Sequence, residues 1–168
     1  PVLGPLTFLL VAILGISAAW EEIDPGSGKL RLMGSKTIQM PLSKTRAFFL
    51  LTTMFILVTV ISSVMDHART NFENLWLWLP TLSGVFAIIV SAVMGFMNHP
   101  TLADRWTYAA ALAVLTAVGL IGAYLHVETN LIGQDVIVVE RFIRGAPLMG
   151  PLLFSNMGIL GFLVLLED

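Results

Sequence analysis

The chain has 168 residues, of which 57% are hydrophobic and only 12% charged, with a mean hydropathy of +0.87. A soluble domain carries about 25% charged residues, so a single water-soluble core of this size has nowhere to hide the apolar excess, which excludes a soluble enzyme and a disordered chain. The formal charge is −2, with no basic stretch dense enough to neutralise phosphates, so nucleic acid is not an expected partner. Cysteine is absent, and with it disulfides, thiolate metal sites and Cys nucleophiles.

In hydrocarbon every backbone N–H and C=O must be satisfied within its own segment, so long apolar runs read as helices. About 20 residues cross roughly 30 Å of lipid tails. Five runs qualify in chain order: about 1–20, 47–65, 76–97, 106–125 and 147–166. None holds an Asp, Glu, Lys, Arg or His in its interior. The expectation is an all-α integral membrane protein, a bundle of five transmembrane helices forming a single domain over 1–168. The connections are then an inner basic loop at 21–46 and outer loops at 66–75 and 126–146. The first run has no positive leader and no small-residue cleavage pattern, so it reads as a span and not a signal peptide.

Loop charge sets the orientation. Lys29, Arg31, Lys36, Lys44, Arg46 and Arg105 share one side, against Arg69, Arg141 and Arg144 on the other. The N-terminus is therefore expected outside and the C-terminus in the cytoplasm, in a bacterial inner membrane. Within 21–46, Leu30, Leu32 and Ile38 have the alternation of a small hairpin around 33–36, although a basic strip beside the head groups is the simpler reading. Phe72, Trp76 and Trp78 suit the interfacial aromatic belt on the outer side.

An internal echo is visible. Residues 1–22 laid on 147–168 without a gap match at Pro1/Pro147, Gly4/Gly150, Pro5/Pro151, Leu6/Leu152, Phe8/Phe154, Ile13/Ile159, Leu14/Leu160, Gly15/Gly161 and Glu21/Glu167. A shorter echo joins residues 67–71 (HARTN) to 126–130 (HVETN), both H-x-x-T-N at the end of a span. Together they predict parallel helix-hairpin repeats related by an axis along the membrane normal. The first span is then an orphan half-unit, whose partner helix was lost upstream or comes from a neighbouring chain.

The residues that carry chemistry are few. His67 and His126 stand at the outer ends of their helices, where two imidazoles could ligate a haem iron or a chlorin magnesium. The plainer reading is a favourable charge at the negative end of the helix dipole. No catalytic constellation and no metal cluster is expected, and no cofactor is required. His99, before Pro100, reads as a connector. Arg69, Glu73, Glu140, Arg141 and Arg144, with Glu128 and Asp135, form a charged outer surface: solvated and self-paired, or docking a partner. Small residues at helical spacing, Ala87, Ser91 and Gly95 on one span and Ala109, Ala113 and Ala117 on the next, predict packing seams within the bundle or against another subunit. Asn156 needs an interhelical hydrogen bond, because its amide would otherwise be stranded in lipid.

Pumps, channels and most transporters hold ionisable groups at membrane depth, and these spans have none. The expected function is therefore a non-catalytic structural or accessory subunit of a larger membrane complex, of respiratory or photosynthetic electron-transfer type. Its partners would be other membrane subunits and bound lipids. The alternatives are a small haem- or (bacterio)chlorophyll-binding carrier using His67 and His126, and a transporter of an uncharged solute.

Overall fold

The computed structural model describes residues 9, 11–13, 15–16, 19–32, 34–133 and 136–166, with the backbone alone at Ile143 and Arg144. Residues 9, 11–13 and 15–16 are helical, and three short strands follow: β1 (Glu21–Glu22), β2 (Lys29–Arg31) and β3 (Thr37–Gln39). The helices after them are α1 (Lys44–Ala68), α2 (Trp78–Phe96, entered through a 3-10 turn at Leu75–Leu77), α3 (Leu102–Leu131), α4 (Val139–Arg144) and α5 (Met149–Leu163, continued as a 3-10 turn to Leu166). Four of these segments are long and apolar enough to cross a membrane: 44–68, 75–96, 102–131 and 149–166. The first apolar run, and with it the long repeat match of 1–22 to 147–168, lies largely outside the described residues. Among the described residues, four segments of spanning length are therefore counted.

The helix ends are set by chemistry that hydropathy does not report. Ser43 caps α1 by accepting from the Arg46 N–H at 3.3 Å. Thr101 and Asp104 form a reciprocal capping box at the start of α3. Pro80 and Pro151 each fall in the first turn of their helix, where a missing N–H costs nothing. At the C-terminus of α2 the orphan carbonyls are taken up by another helix: the Arg46 guanidinium donates to Gly95 O at 2.9 Å, to Phe96 O at 3.2 Å and to Asn98 Oδ1 at 2.7 Å. A fixed cation there also answers the helix dipole. From Arg46 to Asp66 and from Trp106 to His126 there are twenty steps, about 30 Å of helix, and from Trp78 to Phe96 about 27 Å. The three lengths match one another and the thickness of a bilayer core. One end of the bundle is therefore marked by Arg46, Asn98 and Trp106, the other by His67, Trp78 and His126.

The four long helices contact one another in the ring α1–α2–α3–α5–α1. Phe49, Ile56, Met94, Leu112, Leu115 and Met157 are among its fully buried side chains. Tyr108 is buried as well, edge-on to Phe49 with ring centroids 4.9 Å apart, and its hydroxyl donates to Gly161 O at 3.0 Å. That bond lets a polar tip sit in an apolar core.

Close approach rests on small residues. A Cβ on Gly84 would lie 2.2 Å from Val60, and one on Gly95 2.6 Å from Leu50, so α2 presents Gly84, Ala87, Ser91 and Gly95 to α1. Ala87 and Ser91 are fully buried. The α3–α5 seam is tighter still. A Cβ on Gly158 would meet Thr116 Oγ1 at 2.1 Å and Leu112 O at 2.9 Å, and one on Gly119 would meet Ser155 N at 2.6 Å. Ser155 donates across this seam to Thr116 O at 3.0 Å. Of the two seams expected for the small residues of α3, the one within the bundle is not formed: Ala113 and Ala117 are exposed and Ala109 is half-buried. The face that packs runs through Leu112, Leu115 and Gly119, whose outlook is rotated from the alanine row by the helical repeat. Asn156 is likewise exposed on the outer face of α5, and its neighbour Ser155 makes the interhelical bond instead.

At the Arg46 end, residues 21–39 form an antiparallel sheet of order β1–β2–β3, with Leu30 opposite Ile38 and Glu22 opposite Leu30. The hairpin reading of this loop therefore holds over the basic-strip reading, with β1 as an added edge. The Glu22 carboxylate ties the sheet to the bundle. It accepts from the N–H groups of Gly28 at 2.5 Å, Gly26 at 3.2 Å and, at the start of α1, Lys44 at 3.3 Å. Gly28 has φ +71° and a Cβ there would sit 2.6 Å from Met40 O and Leu42 O, so the fold needs glycine at this position.

Candidate functional site

The two histidines singled out by sequence lie at the same end of the bundle. His67 is in the last turn of α1. Its carbonyl accepts from the Thr70 N–H at 3.0 Å and the Thr70 hydroxyl at 2.9 Å, which closes the helix. The chain then turns through two left-handed residues, Asn71 (φ +52°) and Phe72 (φ +51°). Asn tolerates that region, whereas Phe does so at a cost. The Phe72 ring stacks on Trp78 at 4.5 Å and meets the His67 ring edge-on at 6.0 Å, contacts that offset the strain. The His67 imidazole is half-buried, with Asp66 and the Leu77 backbone as further polar neighbours. Its Nδ1 is buried without a hydrogen-bond partner.

His126 is held differently. Its Nδ1 lies 3.0 Å from Pro147 O, and because a carbonyl only accepts, Nδ1 carries the proton. In the neutral ring this leaves Nε2 as an acceptor. The unpartnered nitrogens are thus His126 Nε2 and the buried His67 Nδ1, and a lone pair on either is what a metal ion or a hydrogen-bond donor would use.

Beyond His126, α3 runs on for another turn and a half, past the point where the apolar run stops. Asn130 is buried there, and its amide clamps one residue of the returning chain. Nδ2 donates to Ala146 O at 2.9 Å and Oδ1 accepts from Ala146 N at 3.1 Å. Arg141 donates to Ile132 O at 2.8 Å and to Asn130 O at 3.3 Å, taking up the last carbonyls of α3. Arg141, expected on a docking surface, is thus half-buried and turned onto its own backbone. Arg69, Glu73 and Glu140 are exposed at this end, and the Arg144 side chain and Asp135 lie outside the described residues. An open groove of about 400 Å³ runs beside the clamp, lined by Thr129, Asn130, Val138, Glu140, Arg141, Gly145 and Ala146.

Sequence reasoning missed the clamp formed by Asn130, Arg141 and Ala146. The sequence signal for Asn130 is the second H-x-x-T-N, whose plain reading is a turn; nothing in the sequence marks Arg141 as its companion. His99 is exposed in the connection between α2 and α3. Among the described residues, no three His, Asp or Glu side chains converge as a metal-binding group. Comparison with protein-family models, curated proteins and solved structures finds no match to this chain. The class defined by the fold is a helical membrane protein, with four apolar helices of spanning length.

Proposed function

We propose that the chain is a non-catalytic structural subunit of a larger membrane complex, with its Arg46 end toward the cytoplasm. The observation that carries this reading is the way the bundle interior is filled. Where a transporter would need a polar route at mid-depth, Gly84, Gly158 and Gly161 bring helix axes into contact around Ile56, Leu112 and Met157. The interior hydroxyls of Thr59, Thr116 and Tyr108 are spent on backbone carbonyls. The charged groups of the spanning segments lie toward the two ends of the bundle. The outward assignment of the His67 end follows the excess of Lys and Arg at the opposite end. Purification in a mild detergent, with partners identified by mass spectrometry, is expected to recover a defined assembly. Recovery of the chain alone and monodisperse would sink the proposal.

A second reading is favoured by one specific observation, the placement of His67 and His126 at the same end of the bundle with His67 Nδ1 lacking a hydrogen-bond partner. On it, the pair holds a haem or a chlorin at the end of the bundle. A Soret or chlorin absorption band in the purified protein, lost in the double variant His67→Ala/His126→Ala, is the expected signature. A colourless preparation would remove this reading and leave the first untouched.

A further inference from the structure

The outward rows of the helices differ in one respect. Along α1 the row is Met54, Val58, Ile61 and Met65; along α2 it is Leu79, Leu82, Phe86, Ile89 and Val93. Both are wholly apolar, as a lipid-facing surface should be. The α5 row reads Met149, Leu152, Asn156, Ile159 and Leu163, and places a primary amide among the apolar side chains. Asn156 is exposed, while Met149, Ile159 and Leu163 on either side of it are 67%, 54% and 52% exposed. It lies nine residues beyond Pro147, about 13 Å below the His126 level and close to the middle of the membrane core. An Asn side chain is too short to reach water from there, and an unpartnered amide in hydrocarbon costs several kcal/mol, roughly.

We propose that the outward face of α5 is the interface with a second copy of this chain, closed by hydrogen bonds between the two Asn156 amides. Three features select this occupant. An amide offers a donor and an acceptor at once, so it is complementary to itself. Two copies inserted in the same sense, related by an axis along the membrane normal, bring Asn156 to the same depth by symmetry; any other partner would need its own polar group at that level. Finally, all three rows advance in steps of three and four, the spacing of a two-stranded left-handed seam, but of the three only the α5 row carries an amide at its centre. A single central Asn in such a seam sets register and oligomeric state. The chain's own first apolar run is a poorer match, because its polar side chains, Thr7 and Ser17, stand away from its middle. The inference deepens the assembly reading and rests on it.

The absence of cysteine makes the test direct. Single variants Ile159→Cys on α5, Ile61→Cys on α1 and Ile89→Cys on α2 are reconstituted in phosphatidylcholine–phosphatidylglycerol vesicles at low protein density and oxidised with copper phenanthroline. Ile159→Cys is expected to form a disulfide-linked dimer and the other two are not. Adding Asn156→Leu to Ile159→Cys should lower the dimer yield about three- to tenfold, from the measured range for interhelical hydrogen bonds. Adding Asn156→Gln should retain most of it. Asn156→Leu replaces an outward amide by a lipid-compatible side chain, so the monomer stays folded. Equal yields at all three positions, or a yield indifferent to Asn156→Leu, would overturn the proposal. So would an intrachain bond in a Leu9→Cys/Ile159→Cys variant, which would show the first run covering the face. No linkage at Ile159→Cys, with a different polypeptide co-purifying in mild detergent, would end the self-association while the assembly reading stood. An unlinked chain that also purifies alone would end both.

Discussion

The turns after α1 and late in α3 carry the same five-residue pattern and use it in opposite ways. In both, the Thr hydroxyl donates to a carbonyl of the preceding turn: Thr70 to His67 O and Thr129 to Leu125 O, at 2.9 and 2.8 Å. There the likeness ends. After His67 the helix stops at Ala68, and Asn71 is the left-handed residue that turns the chain over. After His126 the helix continues through Asn130, whose side chain is buried and pairs with both polar groups of Ala146. The difference lies in the connection that each turn must make. The first reaches α2 through a short segment and needs only a reversal. The second must bring back a longer segment, 132–148, in which the described regular structure is the short α4, and the Asn130 amide ties that segment to the end of α3.

Substitutions can break this contrast. The largest effect is expected at Gly145. A Cβ there would lie 2.4 Å from Arg141 O and 2.5 Å from Asn130 Oδ1, so Gly145→Val should cost about 3–5 kcal/mol in a reversible SDS-unfolding titration. A cost below 1 kcal/mol, roughly, would mean the clamp is not formed. Next, Asn130→Ala strands both groups of Ala146 and should cost about 2–3 kcal/mol, with faster hydrogen exchange across 139–146. The equivalent change at the other turn is smaller. Phe72→Ala removes the stack on Trp78 and should cost about 1 kcal/mol, visible as a change in Trp fluorescence. Smallest is Asn71, where Gly should be neutral or stabilising by up to about 1 kcal/mol and Ala destabilising by about as much. If Asn71→Ala cost as much as Asn130→Ala, the two turns would not differ as described.

The membrane-spanning character was legible because it depends on one-dimensional quantities. Four of the expected apolar runs coincide with spanning helices, each bounded by residues such as Arg46, Asp66, Asn98 and His126 that cannot sit in hydrocarbon. The row Ala87, Ser91 and Gly95 was visible as small residues at helical spacing, and it is buried. Ala109, Ala113 and Ala117 show the same spacing yet turn away from the core. Small residues suit lipid and helix contacts alike, so spacing does not say which face of α3 meets α5. The better marker was Ser155, Gly158 and Gly161, three small residues at intervals of three. Asn156 misleads for a related reason: its chemistry demands a partner, but nothing in the chemistry requires that partner to lie within the chain.

Length, hydropathy and the placement of charge thus determined the membrane-spanning character, the extents of the four described spans, and the placement of His67 and His126 at one end. These features rest on local transfer free energies, which add residue by residue whatever the fold. Rotation of each helix about its axis, the clamp of Asn130 on Ala146, the Arg46 cap on α2 and the outward outlook of Asn156 were decided only by tertiary structure. They depend on which side chains meet across helices, and lipid, being as apolar as the helix faces, exerts no pull that would reveal them in the sequence.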